Sequence, residues 1–119
     1  MATPVYAVDL DGTLAKYDVW RGSDHVGDPI PLMVDKVKGW LDKGIEVKIF
    51  TARAANPENI PAIKRWLKRV GLPGLEITNV KDPSITKVYD DRAVRVKKNT
   101  GQTIGEQLID DYLRRIQEA

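Results

Sequence analysis

The chain opens on a short apolar run, Val5 to Leu10, bounded by Pro4 and Gly12 and interrupted only by Asp9. Without polar alternation, such a run predicts a strand buried on both faces of a parallel sheet. The period then changes. In "PLMVDKVKGWLDKG" a helix-starting Pro31 precedes Met33, Val34, Val37, Trp40 and Leu41 at helical spacing, and Gly44 closes the segment. "IEVKIFT" alternates Ile45, Val47 and Ile49 against Glu46 and Lys48, which is the period of a strand ending near Phe50 and Thr51. From about Pro57 to Gly71, Ile60, Ile63, Trp66, Leu67 and Val70 make one helical face, and Lys64, Arg65, Lys68 and Arg69 make the other. "LEITNV" and "ITKVYDD" predict strands three and four, and "AVRVKK" a short fifth. A last helix is predicted from about Thr103, with Leu108, Ile109, Tyr112, Leu113 and Ile116 inward.

Strands and helices in alternation imply right-handed crossovers, hence an α/β fold with an open, mostly parallel, Rossmann-like sheet of about five strands and helices on both faces. Residues 15 to 31 form a polar loop containing Gly and Pro. Ligands of such sheets bind beyond the carboxyl ends of the strands. Asp9 and Asp11 follow strand one, Thr51 ends strand two, Lys81 follows strand three, and Asp90 and Asp91 end strand four, so all point to one rim. Carboxylates converging there repel by kilocalories at an effective dielectric of ~20, so they either spread apart or hold a cation. An all-oxygen donor set suits magnesium.

Composition narrows the possibilities. At 119 residues the chain reads as a single domain, 1–119, long enough to bury its own core. Hydrophobic residues at 42% and charged residues at 30% are ordinary for a globular protein, and no apolar run approaches the ~18 residues of a membrane span. The N-terminal "MATPVYAVDL" lacks a signal-peptide pattern, and the absence of cysteine excludes disulfides, thiolate metal sites and a cysteine nucleophile. A cytoplasmic protein without membrane contact is therefore expected. His25 is the sole histidine, which argues against a histidine metal site or triad, and the net charge of +2 is too small to announce a nucleic-acid binder.

"DLDGTL" at 9–14, "FTAR" at 50–53, Lys81 and "YDDRA" at 89–93 resemble, in order and spacing, the four motifs of the haloacid dehalogenase (HAD) superfamily. The resemblance implies the HAD core, with strand order 3-2-1-4-5, and phosphatase chemistry. Asp9 would be the nucleophile that forms an aspartyl-phosphate, and Asp11, facing the same side, the general acid and base. Gly12 would let the backbone meet phosphate oxygens, Thr51 would add a hydroxyl, and Lys81 a fixed positive charge. Lys87 also precedes Asp90, but it falls within strand four, so Lys81 is the better match to the third motif. Magnesium would be held by Asp9, the Asp11 carbonyl and Asp90, with or through Asp91.

No insertion large enough for a cap domain separates the motifs, so the site is expected to be open. The pattern is similar to small capless phosphatases of phages and bacteria and to the phosphatase domain of polynucleotide kinase/phosphatase. Substrate selection then falls to the 15–31 loop, to nearby basic residues or to a partner subunit, so a homo-oligomer is compatible with the sequence. Trp20, Arg21 and Arg53 are the candidate substrate residues, with Tyr17 and Lys16 beside them. A phosphorylated substrate is expected, either a small molecule or a nucleic-acid 3′-phosphate end. The alternatives are a sugar-phosphate phosphatase and a non-catalytic, receiver-like signalling module. A receiver carries its acidic pair first and its phosphoacceptor later, the reverse of the order here.

Overall fold

The structure, a computed structural model, describes residues 3–118, with side chains as far as Arg115. Strand β1 (Val5–Val8) leads through the long loop to helix α1 (Pro31–Asp42) and strand β2 (Glu46–Phe50). Two 3₁₀ turns, Ala52–Ala55 and Pro57–Asn59, then run into helix α2 (Ile60–Arg69). Strands β3 (Glu76–Thr78) and β4 (Lys87–Tyr89) complete a four-stranded parallel sheet in the order β3-β2-β1-β4. The prolines at 57 and 61 fall where a helix start tolerates a missing N–H, and they split the expected helix into a 3₁₀ turn and α2.

Parallel register aligns Val8 with Ile49 and Tyr89, and Ile49 with Ile77, so these residues share one face of the sheet. Val34 and Val37 of α1 and Ile63, Trp66 and Leu67 of α2 join that face in one core with Val8, Leu10, Val47 and Ile49. Right-handed crossovers from β1 to β2 and from β2 to β3 move in the same direction, which puts both helices on this side. Tyr6, Trp40 and Tyr89 close one end of the layer, with Tyr6 and Trp40 edge to face at 5.0 Å.

The last third differs from expectation. The "AVRVKK" segment adds no fifth strand to the parallel sheet: β5 (Arg95–Val96) pairs antiparallel with β6 (Thr103–Ile104) in a separate hairpin. Asn99 and Gly101, at φ +64° and +76°, supply the turn, a hairpin signal stronger than the weak apolar alternation of "AVRVKK". Helix α3 therefore begins later, at Glu106, and spans Glu106–Glu118. Its residues stay outside the core: Ile109 and Tyr112 are half-buried, while Leu108 and Leu113 are exposed rather than inward. Ile116 lies beyond the described side chains. Of the expected helical cover, α1 and α2 supply the helical part of the core cluster. No helix of the described residues is long and apolar enough to cross a membrane.

The long loop is pinned although it has little regular structure. Lys16 N–H donates to Asp28 O and Ile30 N–H to Leu14 O, both at 2.8 Å. Trp66 buries its indole in the core and donates Nε1–H to Gly27 O at 2.8 Å, tying α2 to the loop. Ile63, with no exposed surface, packs where the helices meet the sheet. Ile63→Ala is expected to lower unfolding free energy by about 2–5 kcal/mol, read as a shifted urea midpoint at unchanged slope.

Candidate active site

The site is built where β1 runs out of apolar residues. Asp9 N–H donates to Tyr89 O at 2.9 Å, which extends the β1–β4 pairing one residue past the strand. Leu10 turns fully into the core, and Asp9 and Asp11 both line a cavity of about 730 Å³ at the carboxyl ends of the strands. Thr51, Arg53, Asp90, Arg92, Tyr17 and Trp20 line the same cavity.

Beyond Asp11 the chain turns back tightly. Gly12 N–H donates to Ala15 O at 2.8 Å, and the N–H groups of Leu14 and Ala15 donate to Leu10 O at 3.0 and 2.9 Å. These donors are therefore satisfied within the turn rather than presented to a ligand. Gly12, at φ +90°, also makes room for a side chain: a Cβ there would lie 2.7 Å from Asp91 Cγ. Glycine is needed because a carboxylate rests against the backbone.

Asp91 is held by a residue that the motif reading passed over. Its N–H donates to Thr13 Oγ1 at 3.1 Å, and that hydroxyl lies 3.2 Å from Asp91 Oδ1 and 3.5 Å from Asp9 Oδ2. One hydroxyl proton serves one carboxylate at a time, so Thr13 links the end of β1 to the end of β4. A hydroxyl two residues past Asp11 on the same turn was the available signal.

Asp9, Asp90 and Asp91 each offer a carboxylate oxygen, and these oxygens lie within 4.8 Å of one another. Burial pushes Asp9 up from 3.8 to about 8, and the Asp90 charge and the hydrogen bond and charge of Asp91 add to the rise. A hard divalent cation fits this all-oxygen donor set and would reverse the crowding. The Asp11 carboxylate stands apart from the three. Both of its oxygens receive the Arg53 guanidinium, Nε to Oδ2 and Nη2 to Oδ1, each at 2.8 Å. Only its carbonyl is left to join a metal set.

Arg53 is consequently committed rather than open to substrate. Its Nη1 donates to His25 O at 2.7 Å, its guanidinium lies 4.8 Å from the Trp20 ring centre, and the residue is 7% exposed. Thr51 is buried at the end of β2, where its hydroxyl accepts the Arg53 N–H at 3.2 Å. Asn59 Nδ2 donates to Arg53 O at 2.9 Å and holds the backbone from the other side. The short 3₁₀ turn after β2 thus aims one guanidinium at the β1 acid and at the loop together.

The remaining candidates lie elsewhere. Lys81 is exposed and does not line the cavity. Strand β3 ends three residues earlier at Thr78, and the next residue after Lys81, Asp82, pairs with Lys48 Nζ at 3.0 Å. Ser84 hydrogen bonds, with help from Lys48, hold Asp82 down to about 2. Lys87 opens β4 at its amino end, with Nζ 4.9 Å above the Tyr6 ring. Arg21 is turned to Asp18 at 2.7 Å and is absent from the lining. Tyr17 and Trp20 are the aromatics that the loop brings to the cavity, and Trp20 is half exposed.

No family model and no curated protein matches the chain. A solved structure of a conserved protein from Bacteroides thetaiotaomicron is similar, with a TM-score of 0.60 at 16% identity over 96% of this chain and 93% of that one. The likeness extends to the fold.

The crowding of Asp9 has a measurable consequence for stability. Its folded pKa of about 8 exceeds the ordinary 3.8, so between these values the folded state keeps a proton that the unfolded chain has lost. This contribution is full below the lower value and is lost as pH rises to the higher. In chelator, the melting temperature should therefore fall from pH 5 to pH 8, and Asp9→Asn should flatten the fall. Magnesium should raise the wild-type value most at pH 8. A pH dependence unchanged by Asp9→Asn would show that Asp9 is not the crowded group.

Proposed function

We propose that the protein is a magnesium-dependent phosphomonoester hydrolase working through an aspartyl-phosphate. The observation that carries this reading is the division of two neighbouring acids within one cavity. Asp9 is crowded by Asp90 and Asp91, whereas Asp11 faces a guanidinium. The first arrangement fits a cation-binding nucleophile and the second a proton carrier. The likeness to motifs of the HAD superfamily supports the same roles. Bound at Asp9, Asp90 and Asp91, magnesium would offset repulsion between an anionic nucleophile and an anionic phosphate.

In the first half-reaction an Asp9 carboxylate oxygen bonds to phosphorus as the ester P–O bond breaks. Asp11 gives its proton to the departing oxygen. In the second half, Asp11 takes a proton from water, the water oxygen bonds to phosphorus, and the bond to Asp9 breaks. Thr51 offers a hydroxyl beside the phosphoryl position. Asp11 must release one of its two bonds to Arg53 to reach the leaving group, while the Arg53 bond to His25 O keeps the guanidinium in place.

Asp9→Asn should abolish phosphatase activity, by ~10²-fold or more, without loss of fold. Asp11→Asn should keep magnesium and phosphate binding yet slow poor leaving groups more than good ones. Equal slowing of both would remove Asp11 as the acid. Retention of activity in Asp9→Asn would remove the covalent mechanism.

For substrate, nucleotides or nucleic-acid 3′-phosphate ends fit better than sugar phosphates. Trp20 and Tyr17 line the catalytic cavity, and a second cavity of similar size, lined by Lys64 and Lys68, shares Asn79 with it. An aromatic platform contributes ~1–3 kcal/mol per stacked base, and lysines in an adjoining cavity suit backbone phosphates. kcat/KM should then be higher for a 3′-phosphorylated oligonucleotide than for sugar phosphates, and should fall with added salt and with Trp20→Ala. Outright preference for a sugar phosphate would leave only the general phosphatase.

A further inference from the structure

A phosphate dianion seated at Asp9 needs positive charge and hydrogen-bond donors on the side away from the metal acids. Of Gly12, Thr51 and Lys81, the residues expected from sequence, Thr51 alone lines the cavity, and it brings no charge. Lys81 lies outside the cavity, and the N–H groups of Gly12, Leu14 and Ala15 are used within their turn. Two cationic residues line the cavity, Arg53 and Arg92. All three guanidinium nitrogens of Arg53 already donate, two to Asp11 and one to His25 O.

Arg92 is the opposite case. Its N–H donates to Asp90 Oδ1 at 2.8 Å, closing a turn that fixes its backbone directly after the acids at the end of β4. Although Asp9, Asp90 and Asp91 crowd together nearby, no carboxylate among the described residues lies within 4.0 Å of its guanidinium. An exposed cation that lines an acidic cavity without pairing to the acids has its donors open to an incoming anion. A guanidinium fork also matches two phosphate oxygens better than an ammonium does.

We propose that Arg92 binds the phosphoryl oxygens of the substrate and supplies the positive charge that the sequence motif assigned to Lys81. The proposal rests on the phosphatase reading and names a substrate-contacting residue within it. Two oxygens of the transferring phosphoryl group accept hydrogen bonds from Arg92.

The test compares wild type with Arg92→Gln, Arg92→Lys and Lys81→Gln, using p-nitrophenyl phosphate hydrolysis and competition by inorganic phosphate. Arg92→Gln should lower kcat/KM by about 100-fold, and Arg92→Lys should recover part of the loss. Inorganic phosphate should compete about tenfold more weakly against Arg92→Gln, as expected when a charge-assisted hydrogen bond is removed. Lys81→Gln should stay within about twofold of wild type, as for an exposed side chain away from the site. Melting temperatures and the magnesium-induced increase should be unchanged, separating lost substrate contact from a damaged metal site. Wild-type behaviour of Arg92→Gln, or the loss appearing in Lys81→Gln instead, would overturn the proposal. If wild type hydrolyses no phosphomonoester, the hydrolase reading fails by itself. Calorimetric binding of inorganic phosphate with magnesium then decides: binding lost in Arg92→Gln supports the proposal, and binding retained there or absent from wild type overturns it.

Discussion

Three carboxylates held within 4.8 Å of one another set the terms for the rest of this site. Each is placed by backbone pairing: Asp9 by its bond to Tyr89 O, and Asp90 and Asp91 by the end of β4 beside β1. The sheet thus forces charges together that repulsion would separate, and Asp9 records the strain in a pKa raised to about 8. The fold must either leave that carboxyl protonated or bring a cation to it. Around it, Gly12 admits the Asp91 carboxylate against its backbone and Thr13 ties it in place.

The second acid is governed by the opposite constraint. Two residues from Asp9 on the same side of the chain, Asp11 would add a fourth charge if it faced the cluster. Arg53 draws it away with two bonds, and the low exposure of that pair keeps it from being screened as a surface ion pair would be. Thr51 and Asn59 fix the Arg53 backbone, while His25 O and the Trp20 ring fix its guanidinium. One side chain therefore joins the orientation of Asp11 to the position of the loop that borders the cavity.

That loop gives an open site its wall. It is held by Trp66 through Gly27 O and by Ile30 through Leu14 O, so a long polar segment is anchored to the core at both ends. Trp20 is left half exposed at the mouth, with Arg53 beneath its ring.

The sequence by itself determined the parallel strands, α1 and α2, and the collection of Asp9, Asp11, Thr51, Asp90 and Asp91 at one rim. Strand and helix periods are local, and a parallel sheet sends the strand ends to the same side. Tertiary structure decided which charges meet. Arg53 reaches Asp11 across 42 residues of chain, and Thr13 reaches Asp91 across 78, distances over which residue spacing carries no contact information. It also placed Lys81 outside the cavity lining, on a loop whose Asp82 pairs with Lys48. The same holds for the final third, where the "AVRVKK" alternation suits a sheet strand or a hairpin equally, and where the apolar stripe of α3 does not guarantee burial. Pairing and docking there depend on which surface is within reach, and that is a property of the folded chain.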